Sequence, residues 1–191
     1  MGLVEIHLDV TSNGLNNPAI RKQTEDNLKK NFDTRLPFII ERMKEIPPLL
    51  TSDVGIYSKL LDEAKECYKQ GLFYSTIAMI GITAERFTIE FFDKVKIKVN
   101  ENEITEKDLF DGQIQKQWQR LNILEKSKLL KPTYIEKLKE ISKIRNKYIH
   151  PKEEGDIKND SLKILKLYIE ILNSRFSDDY EIKNGIIVKK I

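Results

Sequence analysis

Arg145 and His150 are the side chains of this sequence whose types and spacing best suit chemistry. An arginine stays charged at physiological pH and offers a planar fork to two oxygens of a phosphate. A histidine near its ordinary pKa gains and loses protons at neutral pH. The pair therefore suits proton transfer and charge stabilisation at a phosphate, and neither step needs a metal ion.

The helix predicted over residues 133–149 places Arg145 in line with an apolar stripe that includes Leu138, because residues three and four apart share a helix face. A charge on such a stripe is costly unless it is paired. We therefore expect Arg145 to meet an acidic partner or to lie at an interface that also takes an anion. The candidate partner is Glu85, in the most apolar predicted helix, which could anchor Arg145 or tune His150.

His150 directly precedes Pro151, and a proline sterically pushes the residue before it out of the α region. The sequence therefore predicts that the helix ends at Ile149 and leaves the imidazole able to swing toward Arg145. On an ideal helix the two side chains would instead lie about 140° apart. The C-terminal end of a helix also favours the protonated form of a histidine.

Arg145-Asn146 followed by His150 resembles the R-x4-6-H motif of the HEPN superfamily, in which a polar residue usually follows the arginine. The motif lies at the end of the penultimate predicted core helix, as it does in that superfamily. Two upstream predicted helices, 53–70 and 74–92 with Ala84-Glu85-Arg86, resemble the first helical hairpin of stand-alone HEPN domains of the prokaryotic defence and toxin type. The resemblance covers roughly residues 53–175.

The resemblance implies a four-helix up-and-down core that forms a homodimer, with two motifs facing each other across one RNA-binding cleft. It implies a metal-independent endoribonuclease without a cofactor, which leaves a 2′,3′-cyclic phosphate and a 5′-hydroxyl. His150 would move the proton or hold the nucleophile, Arg145 would stabilise charge on the phosphoryl oxygens, and Asn146 would orient one or both. The protein would act as a toxin or abortive-infection effector, with an antitoxin or another defence-system protein as a partner.

Glu85, Lys147 and Tyr148 are the residues that we assign to substrate binding, the last two through charge and stacking on RNA. Structural alternatives stand beside these roles. Arg145 could serve only as the partner of a carboxylate such as Glu85, and His150 as a polar helix terminus. Glu85 could equally be a surface charge, Tyr148 a core residue and Lys147 a solvated one.

Two other functions remain open at this stage. The chain could be a non-catalytic HEPN module that binds a nucleotide, RNA or a protein partner in the same groove, or a helical interaction domain whose dimer face merely contains Arg145. One position departs from the family: HEPN toxins neutralised by a nucleotidyltransferase carry a tyrosine two residues after the histidine, where this chain has Lys152. This departure disfavours regulation by adenylylation and leaves the nuclease chemistry open.

Composition narrows the classes of function. The net charge of +3, from 33 basic and 30 acidic residues, neither requires nor excludes nucleic acid. The single cysteine, Cys67, excludes an internal disulfide and a multi-cysteine zinc site, and only His7 and His150 could add histidine ligands, so we expect no metal. We find neither a secretory signal nor a membrane span, and no P-loop or G-x-S-x-G pattern. We therefore expect a cytoplasmic protein.

The hydrophobic pattern predicts a mainly all-α fold: a HEPN-like helical bundle with an N-terminal helical extension and a small terminal β hairpin. We predict an N-terminal part over 1–50, a HEPN-like core over 51–176 and a hairpin over 177–191 that turns at Asn184-Gly185, together forming one compact domain. Further elements are a strand over 4–10 and helices over the following ranges: 18–30, one from Pro37 to before Pro47, 53–70, 73–95, 117–130, 133–149 and about 162–172. The helix over 117–130 carries Trp118, Leu121 and Leu124 on one side, and we expect Trp118 to lie in the core. The polar segment 152–159 predicts a turn before the last helix.

Overall fold

A computed structural model describes residues 14–50, 57–94, 98–99, 102–104, 108–109, 116–149, 155–183 and 186–189. The predicted N-terminal strand, with His7, lies outside the described residues. So do His150 and the predicted Asn184-Gly185 turn.

The described residues are mainly helical, in agreement with the predicted all-α class. A short 3-10 helix, Gly14–Asn16, precedes α-helices that we number along the chain: α1 Pro18–Glu45, α2 Tyr57–Gln70, α3 Phe73–Lys94, α4 Gln117–Lys126, α5 Pro132–Ile149 and α6 Ile157–Asp179. The described strands form two short antiparallel pairs: β1 Lys98–Val99 with β2 Asn102–Glu103, and β3 Tyr180–Lys183 with β4 Ile186–Lys189. None of the described helices is long and apolar enough to cross a membrane.

Helix α1 corrects the prediction of two separate helices in this region. It continues through Pro37 for 28 residues. A proline inside a helix removes one hydrogen bond and crowds the preceding turn. No glycine or other proline lies between Ala19 and Leu36. The remaining turns therefore keep their hydrogen bonds and carry the helix past this one site. The chain divides after Glu41 into two compact units, whereas the sequence placed a boundary near residue 50.

Helix α3 is the central helix of the second unit, as its apolar sequence predicted, and it packs against α2, α4, α5 and α6. Its buried side chains form more than one stripe: Thr76, Ile77, Ile80, Thr83, Ala84, Phe87, Thr88 and Phe92. The three threonine hydroxyls each donate to a carbonyl three or four residues earlier in the chain. These bonds satisfy the hydroxyls inside an apolar core.

Helix α2 ends as predicted, with Gly71 in the left-handed region at φ +78°. The Gly71 N–H donates to the Tyr68 carbonyl at 2.9 Å and the Leu72 N–H to the Cys67 carbonyl at 2.8 Å, which is the Schellman arrangement that closes a helix. Arg42 adds a bond from Nε to the Lys69 carbonyl at 2.7 Å. The turn that follows directs the chain into α3.

Helix α4 buries Leu121 and Leu124 as predicted, but not Trp118. The sequence placed Trp118 in the core, yet 57% of its surface is exposed. The buried face includes Gln117 and Arg120 with the two leucines, at the three- and four-residue spacing of one helix side. The prediction was wrong because it used the aromatic ring to orient the helix, whereas a buried arginine occupies the inner side.

Helix α6 begins earlier than predicted, inside the polar segment that we took for a turn. Asp156 caps it, since the Asn159 N–H donates to Asp156 Oδ1 at 3.1 Å. Farther along α6, the Asn173 side chain donates to the Pro48 carbonyl at 3.0 Å and accepts from the Leu50 N–H at 2.8 Å. These contacts hold the segment after α1 against the last helix.

Candidate functional site

Arg145 lies at the meeting point of three helices and pairs with Glu85, as the sequence analysis anticipated for a charge on an apolar stripe. Nη1 of Arg145, on α5, donates to Glu85 Oε2, on α3, at 3.0 Å. The other carboxylate oxygen, Oε1, accepts from Nη2 of Arg120, on α4, at 2.7 Å. Glu85 therefore joins two arginines, and we call Arg145, Glu85 and Arg120 the arginine cluster.

Arg120 is the deepest member of the arginine cluster, with 1% of its side chain exposed. Its Nη1 also donates to the Leu109 carbonyl at 3.2 Å. A guanidinium that is fully buried must be paired, because its desolvation is costly. Arg120 thus fixes the position of the carboxylate that Arg145 uses.

Arg145 lies at the outer end of the arginine cluster, where 21% of its side chain and 34% of that of Glu85 are exposed. Arg145 uses only Nη1 for Glu85, and its buried Nε has no hydrogen-bond partner among the described residues. This outer guanidinium is therefore able to accept one anionic group.

Lys147 and Tyr148 make their contacts with a different carboxylate, that of Asp160 in the first turn of α6. Asp160 Oδ2 accepts from Tyr148 Oη at 2.7 Å and from Lys147 Nζ at 2.9 Å. The Tyr148 ring also meets the Tyr74 ring edge-on, with centroids 5.9 Å apart. Both side chains that we assigned to RNA contact thus hold the end of α5 against α6.

The electrostatics of Asp160 follow from these contacts. Burial opposes its ionisation, but hydrogen bonds from Tyr148 and Lys147, together with the charges of Lys147 and Lys163, outweigh burial and lower its pKa below the ordinary value. Burial, followed by the hydrogen bond to Asp160, raises the pKa of Tyr148. The carboxylate is therefore ionised and the phenol neutral at physiological pH.

Asn146 and His150 are the remaining residues predicted for the site. Asn146 is exposed on α5, directly after Arg145. His150 lies outside the described residues. Within the described part of the chain, no group of three or more His, Cys, Asp or Glu side chains could hold a metal ion.

Sequence reasoning missed Arg120 and Asp160. The signal for Arg120 was present, because it lies three residues after Gln117 and four before Leu124, where a charge needs a partner. Its partner could not be read from local spacing, since 35 positions separate it from Glu85. Asp160 looked like an ordinary acidic residue near a helix N-terminus, which is favourable there without any partner.

Because both arginines share Glu85, we predict that the loss of Glu85 destabilises the protein more than the loss of Arg145. Glu85→Gln removes the carboxylate that both arginines share, so we expect it to lower the free energy of unfolding by about 2–3 kcal/mol, below the usual range for a buried pair because Glu85 is partly exposed. Arg145→Met leaves Glu85 with Arg120, and we expect a loss of about 1 kcal/mol or less. Urea unfolding measures both, with exposed Glu136→Gln as the control; equal losses, or the reverse order, would contradict the shared carboxylate.

Asp160 predicts a dependence of stability on pH. Because its pKa is lowered on folding, its contribution is present above the unfolded pKa and disappears as the pH falls through the folded one. Asp160→Asn should cost about 1–2 kcal/mol between about pH 7 and about pH 5, and the difference from wild type should narrow below about pH 4. Urea unfolding across this range tests it. Asp26→Asn on exposed α1 is the control, and a gap that stays constant down to the lowest pH would refute the assignment.

No family model, no curated protein and no solved structure matches this chain. The HEPN resemblance therefore remains a hypothesis carried by the motif residues. What the site does has to be inferred from the charges and geometry around Arg145.

Proposed function

We propose that this chain is a metal-independent endoribonuclease of the HEPN type, in which Arg145 binds the phosphate at which RNA is cut. The observation that carries the proposal is the guanidinium of Arg145, which is partly exposed and uses only Nη1 for Glu85. Its buried Nε has no hydrogen-bond partner among the described residues. A phosphate diester supplies oxygen acceptors for the N–H groups that this guanidinium does not use for Glu85.

Stability alone does not account for the arginine cluster. Replacing buried ion pairs by apolar residues of similar volume is often neutral or stabilising, so an ion-pair cluster is a poor device for holding helices together. The partly exposed guanidinium of Arg145 has a use if it binds a ligand. Because Glu85 gives both oxygens to arginines, its role in this proposal is to position Arg145, and phosphate binding belongs to Arg145.

The proposed reaction needs two proton transfers and no metal. A base removes the proton of the ribose 2′-hydroxyl, the 2′-oxygen attacks the adjacent phosphorus, and the bond from phosphorus to the 5′-oxygen breaks as that oxygen takes a proton. The products are a 2′,3′-cyclic phosphate and a 5′-hydroxyl. We assign the proton transfers to His150, one from each chain of a homodimer, the stabilisation of phosphoryl charge to Arg145 and their orientation to Asn146.

The biological setting that we propose is that of a toxin or abortive-infection effector acting on RNA in the host cell. Lys147 and Tyr148 are bonded to Asp160, so we give them the role of supporting α5 and assign the phosphate contact mainly to Arg145. A non-catalytic module would use the same guanidinium to bind RNA or a nucleotide, and it would not need His150.

Cleavage of total cellular RNA in EDTA tests the proposed function, with the product ends mapped. We expect cyclic-phosphate ends from wild type and a loss of about 100-fold or more in cleavage rate for His150→Ala, because it removes the proton-transfer group. Arg145→Met should also inactivate, while Lys143→Met, an exposed charge on the same helix, should cut like wild type. Equal cleavage by wild type and His150→Ala would refute the catalytic assignment. If wild type binds RNA without cutting it, the chain is a binding module.

A further inference from the structure

Gly81 is a buried glycine inside α3, one turn before Glu85. Glycine is the poorest helix former apart from proline, because it keeps the most backbone freedom in the unfolded chain. Alanine would suit this position better if the helix alone decided. A requirement outside α3 must therefore explain the missing side chain.

The requirement is room for the stem of Arg145. A Cβ atom placed on Gly81 would lie 2.8 Å from Cγ of Arg145, 3.5 Å from its Cβ, and closer still to its Cδ. These atoms form the middle of the side chain, so they cannot move aside without carrying the guanidinium with them. Nη1 of Arg145 would then leave its position 3.0 Å from Glu85 Oε2.

We propose that Gly81 is a positioning residue for Arg145: its missing side chain forms the notch through which Arg145 crosses α3 to reach Glu85. Glu85 and Arg120 fix the end of the guanidinium by charge, and Gly81 fixes its path by shape. The consequence for phosphate binding rests on the proposed function, whereas the steric relation between Gly81 and Arg145 does not.

A double-mutant cycle in thermal unfolding tests the notch without any substrate. Gly81→Ala should lower the unfolding midpoint of the wild-type protein, because the new methyl group displaces Arg145 from Glu85. In the Arg145→Ala background the same substitution should leave the midpoint unchanged or raise it, since the obstruction is gone and alanine favours the helix. In the control background Lys143→Ala it should act as in wild type.

The proposal is tested by whether Gly81→Ala lowers the unfolding midpoint in the Arg145→Ala background. If Gly81→Ala is too unstable to fold, the double variant with Arg145→Ala should fold, and this rescue supports the notch equally. A loss of the same size in both backgrounds would overturn the proposal, because Gly81 would then be required by neighbours other than Arg145.

The kinetics of RNA cleavage test whether Gly81 also positions Arg145 for catalysis. With Gly81→Ala, kcat should fall by about 10- to 100-fold, the cost of a small misplacement of a catalytic group, while KM changes much less. A defect confined to KM, or a wild-type rate, would overturn the positioning role in cleavage. If wild type cuts no RNA, the proposed function fails on its own, and the unfolding cycle still decides whether Gly81 positions Arg145.

Discussion

The ion pair between Arg120 and Glu85 is the constraint on which the rest of the site depends. Arg120 is completely buried, and a buried guanidinium without a counter-charge would cost several kcal/mol even after relaxation. This need fixes Glu85, which in turn offers its second oxygen to Arg145. The three residues come from α4, α3 and α5. The need of Arg120 for a counter-charge therefore restricts how these three helices can be arranged. Buried ion pairs often add little net stability compared with apolar residues of the same volume.

The sharing of Glu85 also affects how Arg145 can bind an anion. Because Glu85 is shared with Arg120, it offers Arg145 one carboxylate oxygen, which is bonded to Nη1. The Arg145 side chain is partly exposed, so an anion could reach its other N–H groups. Gly81 accommodates the stem of that side chain at a cost of about 0.5–1 kcal/mol relative to alanine in the helix. A protein selected only for stability would have little reason to keep either feature, and both become intelligible if Arg145 must be presented to a phosphate.

The sequence supported some of these conclusions and not others, for identifiable physical reasons. The central helix α3 and the glycine end of α2 could be predicted because periodicity and capping are local. The pairing of Arg145 with Glu85 could be anticipated because a charge on an apolar stripe needs a partner. Arg120 could not be paired in this way, since its partner lies 35 positions away and on another helix. The break predicted near Pro37 was wrong because one proline costs less than the many hydrogen bonds that continue around it.

Binding of a short single-stranded RNA with 2′-O-methyl riboses tests the central claim most directly, because this ligand keeps the phosphates and cannot be cut through the 2′-oxygen. Wild type, Arg145→Met and Lys143→Met would be titrated with it at one fixed ionic strength. The account predicts that Arg145→Met binds at least about tenfold more weakly than wild type, about 1.4 kcal/mol, while Lys143→Met binds as wild type does. Equal affinity for wild type and Arg145→Met would contradict this prediction, because the Arg145 guanidinium would then not be the phosphate-binding group.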